Sequence, residues 1–347
     1  MSHRASDAAS LALRDRARRE AEERFLSPAA TRSGASRGRA RPEEPDAFRT
    51  AFERDRDRIL HSKAFRRLKH KTQVFINPEG DHYVTRLTHA LQVTQVARSL
   101  AATLGLNEPL AEAIALAHDC GHTPFGHTGE EALDALLDEG WHHAAQGVRV
   151  FARLEDVNLT WEVRDGIRSH TWRIEPPPAT PEGIVVRFAD RIAYLSHDAQ
   201  DAMRAGLLGA NDFPAAVRGA LGSPGREWVD QLIRSVVERS LATGQVAMEP
   251  ALLDLMDELR AFMFERVYRS PGNEAHKSAA LQIVTQLVDY HREHPDQIPD
   301  SYRDPDADVT RRAVDFVAGM TDRYAMRLHG SLFRRGRVPD PPQALSS

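Results

Sequence analysis

Three histidines and one aspartate fall within ten positions of the run Ala117-His118-Asp119-Cys120-Gly121-His122-Thr123-Pro124-Phe125-Gly126-His127. Imidazole and carboxylate together suit borderline and hard divalent ions, so this density points to a metal and to acid-base chemistry. Adjacent His118 and Asp119 can grip one ion only where the backbone splays, and Gly121 permits such a break. One histidine alone is more often a core residue bonded to a carbonyl than a ligand. Three at this spacing make that reading the minor one. Cys120 offers a thiolate, but a lone cysteine beside a helix end behaves more often as a small buried hydrophobe and is left out of the site.

Composition sets the remaining bounds. The 347 residues, 41% hydrophobic, can build one large domain or two smaller ones around a real core. A net charge of -4 exerts no global pull on nucleic acid or anionic membranes. The single cysteine excludes an intramolecular disulfide framework and fits a reducing compartment. With no apolar run near membrane-span length and no secretory core at the N-terminus, the chain reads as cytoplasmic with no membrane partner.

Residues 1–46 pair a possible charged helix (Asp7 to Phe25) with a Ser/Gly/Arg/Pro stretch that can bury little apolar surface, which predicts a mobile arm. From residue 47 to 335 the periodicity is helical, and 336–347 read as a flexible tail. Val84 to Leu104 forms an apolar stripe ending at Gly105. Asn107 and Pro109 then cap and open a helix that runs into His118-Asp119. Further helices are expected over Glu130–Leu137, His143–Leu154, Thr160–His170, Glu182–Met203, Glu227–Leu241, Glu249–Tyr268, Ala275–His294 and Ala307–Leu332. Alternating apolar and polar runs are scarce, so the fold is predicted all-α, with at most a short hairpin around Val74 to Tyr83. No fixed-period repeat suggests a solenoid.

Two more candidate ligands sit among apolar neighbours on predicted helices: His89, beside Leu87 and Leu91, and Asp190, at the end of Ile184-Val185-Val186-Arg187-Phe188-Ala189. A buried carboxylate is costly unless paired, protonated or on a metal. For Asp190 the alternative is an ion pair with Arg187 or Arg191. Arg86 lies three residues before His89, on the same helical face, where its guanidinium can fork onto phosphate oxygens or form a surface salt bridge.

The order His, His-Asp, distant Asp is that of the HD-domain metal phosphohydrolases. Phe52 to Ile59, Phe65 to Leu68, Lys71 to Phe75, Arg86 to His89, His118 to Phe125, Ala189 to Tyr194 and Gly319-Met320-Thr321-Asp322-Arg323-Tyr324 resemble the deoxyguanosinetriphosphate triphosphohydrolase-like proteins, over roughly Arg49 to Phe333. The resemblance implies one helical HD domain with added helices. It implies that His89, His118, Asp119 and Asp190 hold a divalent metal, drawn from Mg, Mn, Fe, Co, Ni or Zn. It further implies cleavage of a deoxynucleoside triphosphate into deoxynucleoside and intact triphosphate, controlling deoxynucleotide pools.

Such a reaction needs water activated near neutral pH and a proton for the leaving oxygen. His122 and His127 follow the HD pair with the family's spacing. Glu130 would orient His127, or serve simply as a carboxylate favoured at a helix N-terminus. His143 matches a further active-site histidine of the family, although His143-Ala144-Ala145-Gln146 lacks the usual Asn of that motif. By resemblance Gln73 contacts the sugar 3′-hydroxyl, Val74 crowds the 2′ position, and Tyr194 and Asp198 line the sugar and phosphate side. Arg260 aligns loosely as a further phosphate ligand.

Arg49 to Lys71 holds nine Lys/Arg against three acidic residues. Such a run is a solvated face, an ion-paired contact in a homo-oligomer, or a site for a regulatory nucleotide or single-stranded nucleic acid, and the subunit contact is favoured. Two rivals to the leading function remain: another HD nucleotide phosphohydrolase (monophosphatase or phosphodiesterase), and a non-catalytic nucleic-acid-binding HD protein.

Overall fold

A computed structural model gives the fold for residues 13–73, 84–268 and 271–333, with residues 271–276 described by backbone alone. Among the described residues there are fifteen α-helices, and the only β-type pairings are isolated bridges, Arg39 with Thr160 and Thr72 with Thr85. The all-α expectation holds. Val74, and with it the expected hairpin from Val74 to Tyr83, lies outside the described residues.

The chain opens with α1 (Arg16–Glu22), α2 (Ala51–Leu60) and the short α3 (Lys63–Arg67). Then come α4 (Arg86–Thr103), α5 (Glu108–Ala117), α6 (His127–Asp134), α7 (His143–Arg149), α8 (Trp161–Ser169) and α9 (Pro181–Arg204). The caps explain several starts. Asn107 accepts from the Leu110 amide with Pro109 in the first turn of α5, Thr85 accepts from the Thr88 amide, and Thr180 caps α9 ahead of Pro181. The second half comprises α10 (Ala215–Leu221), α11 (Arg226–Thr243), α12 (Pro250–Met263), α13 (Pro271–Glu293), α14 (Val309–Ala318) and α15 (Asp322–Phe333).

Two hydrophobic cores result. In the larger, α5 is enclosed by α2, α4, α8 and α9, because Ala111, Ala113, Ala115 and Ala117 let neighbours approach while Leu110 and Ile114 fill the space between. Full burial of Leu110 and Ile114 contributes roughly 1.5 to 3 kcal/mol each. The smaller core gathers α6, α13, α14 and α15 around Phe125, Leu133, Trp141 and Phe316. The segment from Cys120 to Phe125 starts in the first core and ends in the second. The histidine run therefore lies at the seam between them.

Two expectations are corrected. Where a mobile arm was expected, residues 13–46 are docked, because carboxylates of the helical core accept their polar groups. Glu182 bonds the Thr31 amide and hydroxyl, Glu162 bonds Ser36 and the Arg37 amide, and Asp55 pairs with Arg39. The single helix expected over Ala307–Leu332 is two, since Gly319, Met320 and Thr321 break the chain between α14 and α15. In the Arg49–Lys71 run several arginines are already paired within the chain. Arg49, Arg54, Arg56, Arg58 and Arg67 all pair with carboxylates of the same chain, among them Asp46, Glu43, Glu112 and Glu155.

Candidate metal and acid-base centre

Helix α4 brings Arg86 and His89 inward on one face, α5 delivers His118 at its C-cap, and α9 crosses with Asp190. Their side chains meet. His89 Nε2 lies 3.1 Å from Asp190 Oδ1, and His118 Nε2 lies 3.7 Å from the same oxygen and 3.6 Å from Asp119 Oδ1. His118 Nδ1 donates to the Ala115 carbonyl at 2.6 Å, so its Nε2 carries the lone pair, fully buried and without a hydrogen-bond partner. An orphaned imidazole lone pair facing two carboxylates is the donor set a divalent cation satisfies. Asp190 makes no ion pair with its neighbouring arginines: Arg191 pairs with Asp257, and Arg187 reaches Glu175 at 3.8 Å.

Asp119 joins this cluster to the acid-base residues. Its Oδ2 accepts from Arg86 at 2.6 Å and its Oδ1 faces His122 Nε2 at 3.2 Å. Burial alone would raise the Asp119 pKa, but the Arg86 guanidinium and flanking imidazoles hold it well below the carboxylate range. Arg86 is thus buried, at 2% exposure, rather than in a surface salt bridge, and its Nε still lacks a partner. Gly121 serves close approach rather than an unusual backbone angle. A Cβ there would sit 2.1 Å from the His143 carbonyl and 2.2 Å from the Gly147 amide, so this glycine lets α7 reach the site.

Glu130 anchors the acid-base group. One oxygen faces His127 Nδ1 at 3.0 Å, and the other takes both His143 Nδ1 and the His143 amide at 3.0 Å. The pull of these partners, His143 foremost, overcomes burial and keeps Glu130 ionised far below its ordinary range. The His122 ring stacks on His143 with centroids 3.9 Å apart. Burial first, then the Arg86 and His143 charges, depress His122 well below the usual histidine value, so it stands neutral. His142 is half-buried and caps α7 by accepting from the Ala144 amide.

Sequence reasoning missed His170. At the C-cap of α8 its Nδ1 donates to the Ile167 carbonyl at 2.7 Å, leaving Nε2 to face His143 Nε2 at 3.3 Å. Its ring also meets His118 edge-on at 5.1 Å. Burial, then its two histidine neighbours, lowers its pKa to about 3. The only sequence signal was its place on the buried stripe of Val163 and Ile167.

A second corner adjoins the centre. Gln73 Oε1 is buried without a partner. Tyr194 is half-buried on α9, and one turn on, Asp198 is 4% exposed and accepts from the Tyr268 hydroxyl at 2.5 Å. Burial raises the Asp198 carboxyl to about 7 despite that bond. Arg260 faces this corner, its charge opposing the rise of both tyrosine hydroxyls. Cys120 stays apart from the chemistry as expected: it is buried, and burial pushes its thiol pKa up.

An all-helical chain that draws His89, His118 and Asp190 together, with Asp119 Oδ1 3.6 Å from His118, is an HD-domain phosphohydrolase, and the HD domain description matches residues 86–195. A phosphohydrolase-associated domain follows over residues 246–331. A deoxyguanosinetriphosphate triphosphohydrolase-like protein of Caldanaerobacter subterraneus subsp. tengcongensis is 48% identical over 93% of this chain and 95% of its own length. Proteins so named from Desulfatibacillum aliphaticivorans and Clostridium perfringens are 45% and 43% identical, over 89% and 86% of this chain and 95% and 91% of theirs. The chain belongs to the deoxyguanosinetriphosphate triphosphohydrolase-like family.

Proposed function

We propose that this chain hydrolyses deoxynucleoside triphosphates to the deoxynucleoside and inorganic triphosphate, and thereby lowers deoxynucleotide pools. The observation that carries the reading is the continuity of two groups through Asp119: a His/Asp cluster with an orphaned buried lone pair, and a histidine group anchored on Glu130. His89, His118, Asp119 and Asp190 would hold the ion, which when bound supplies a water of lowered pKa and polarises a phosphoryl oxygen.

The chain's own residues do the rest. Arg86 holds Asp119 in place through one nitrogen, and its unpartnered Nε is left to a phosphate oxygen. His127, more than half exposed and tied to Glu130 through Nδ1, presents its other nitrogen outward, where it can deliver a proton to the leaving 5′-oxygen. His143 meets Glu130 through one ring nitrogen and His170 through the other, and so stays fixed beneath His122. On the sugar side the orphan Gln73 Oε1 accepts from the 3′-hydroxyl, and Tyr194 and Asp198 close the wall. No helix among the described residues is long and apolar enough to cross a membrane. The reading includes association of copies, for which exposed Phe25 and Phe48 offer apolar surface; light scattering on a sizing column measures it.

The test is product analysis. Each of the four deoxynucleoside triphosphates is incubated with the protein and Mg, Mn, Fe, Co, Ni or Zn, and the products are separated by anion exchange. Inorganic triphosphate with deoxynucleoside is the expected pair. Orthophosphate instead would make the chain a different HD phosphohydrolase.

A further inference from the structure

The Gly319–Tyr324 motif has no part in the site described above, yet its aspartate reaches the site's supports. Asp322 opens α15 and is 4% exposed. Its Oδ2 accepts from the Thr72 amide at 2.9 Å and from the Thr72 hydroxyl, while its Oδ1 accepts from the Phe125 amide at 3.0 Å. One carboxylate therefore ties the residue before Gln73 to the loop that runs from His122 to His127. A parallel tie lies beside it: the buried Lys71 ammonium donates to the His122 carbonyl and, at 2.9 Å, to the Ala318 carbonyl.

The strut is fixed at both ends. Gly319 sits so close beneath Tyr302 that an added Cβ would meet its hydroxyl at 2.2 Å, so the tyrosine packs directly on the turn from which Asp322 projects. Residues 71 and 72 are held on their other side by the Arg86 amide bond to Lys71 and by the Thr72–Thr85 bridge. The same short segment thus touches the start of α4, with Arg86 and His89, and the C-terminal helices.

We propose that Asp322 is a positioning residue, holding the Gln73 reader and the His122–Phe125 loop at a fixed separation so that sugar recognition and proton delivery stay in register. The proposal rests on the sugar role given to Gln73 above. A carboxylate suits the task because all three donors need an acceptor, and an amide would set its own N–H group against one of them.

Two variants test it. Asp322→Asn should lower kcat/KM for every deoxynucleoside triphosphate by about tenfold or more, with the loss spread over kcat and KM, because both tethered segments are released. Thr72→Val, which keeps the backbone amide and removes only the hydroxyl, should raise KM for a deoxynucleoside triphosphate and leave KM for its 2′,3′-dideoxy counterpart, which lacks the hydroxyl Gln73 reads, unchanged. Hydrogen exchange supplies a readout independent of activity: the Thr72 and Phe125 amides should lose protection together in Asp322→Asn. Wild-type kcat and KM in that variant, or faster exchange at only one of the two amides, overturns the proposal. Should Asp322→Asn fail to fold, a KM for the deoxynucleotide that is unchanged, or raised as much as for the dideoxynucleotide, in Thr72→Val overturns it. A wild-type enzyme that releases no inorganic triphosphate refutes the function reading instead, and the exchange experiment still decides the strut.

Discussion

Asp198 offers a quantitative test of how burial sets the chemistry at the sugar side. It is 4% exposed, it accepts from the Tyr268 hydroxyl, and its midpoint moves from 3.8 to about 7. The folded state therefore holds this proton more tightly than the unfolded chain. Stability falls as pH rises from about 4, where the unfolded chain ionises first, and levels off above about 7, where both states are charged. The full penalty is about 4 kcal/mol at pH 8, of which roughly 1.5 kcal/mol is already present at pH 5. Asp198→Asn keeps an oxygen for Tyr268 but cannot ionise, so its stability lacks this dependence. In urea unfolding followed by tryptophan fluorescence, the stability of the Asn variant relative to wild type should rise by about 3 kcal/mol between pH 5 and pH 8. Other groups titrate in both proteins and cancel. A difference that stays constant within about 1 kcal/mol over that range would falsify the assignment of a buried, largely neutral carboxyl.

Four further outcomes follow from the geometry. His118→Ala and Asp119→Ala should each abolish hydrolysis and lower the bound divalent metal measured by elemental analysis; either variant turning over at the wild-type rate in metal-free buffer refutes the ligand set. Arg86→Ala should weaken catalysis, as one charge-assisted phosphate contact is worth roughly 1.5 to 3 kcal/mol. Because it also strands Asp119, it should cost about 3 to 5 kcal/mol of stability, read by denaturant midpoint; a variant as stable as wild type refutes the buried pair. Glu130→Gln should lower kcat by about a hundredfold with metal content retained, and an unchanged kcat removes Glu130 from the acid-base group. Gln73→Ala should raise KM for deoxynucleotides by about tenfold, whereas an unchanged KM would end its role at the 3′-hydroxyl.

The helices and the metal cluster were legible because their signals are local. Apolar periodicity located most helices to within a few residues, and the Asn107 cap with Pro109 marked the start of α5. What periodicity could not register is pairing through space. Arg86 was recognisable by its spacing from His89, but its partner lies beyond the end of another helix. His170 shares no motif with the residues it touches. The docking of residues 13–46 escaped notice because hydropathy measures apolar area, and that segment is held by carboxylates at Glu162, Glu182 and Asp55. The break at Gly319 was hidden for the opposite reason. Buried Ala318, Met320 and Ala325 carry the apolar pattern across the gap, so the turn between α14 and α15 reads as uninterrupted helix.

The two cores also explain why the HD segment and the phosphohydrolase-associated segment occur in one chain. The HD segment alone contains the metal cluster, but the loop leaving it crosses into the second core, where Phe125 packs beside Leu133 and Phe316. Without α14 and α15 the Phe125 amide, the Thr72 amide and the Lys71 ammonium would lose their acceptors on Asp322 and Ala318. Buried donors left unpaired cost about 1 to 3 kcal/mol each, and more for the ammonium, so the loop would relax towards water and carry His122 away from Asp119. Lys71 sharpens the point. Burial, reinforced by Arg67, lowers its pKa to about 7 against the pull of Asp322, so the charge-assisted part of its contact is present at acidic pH and fades as pH rises through that value. The ends of α14 and α15 thus support the loop that carries His122 without contributing any of the four candidate metal ligands.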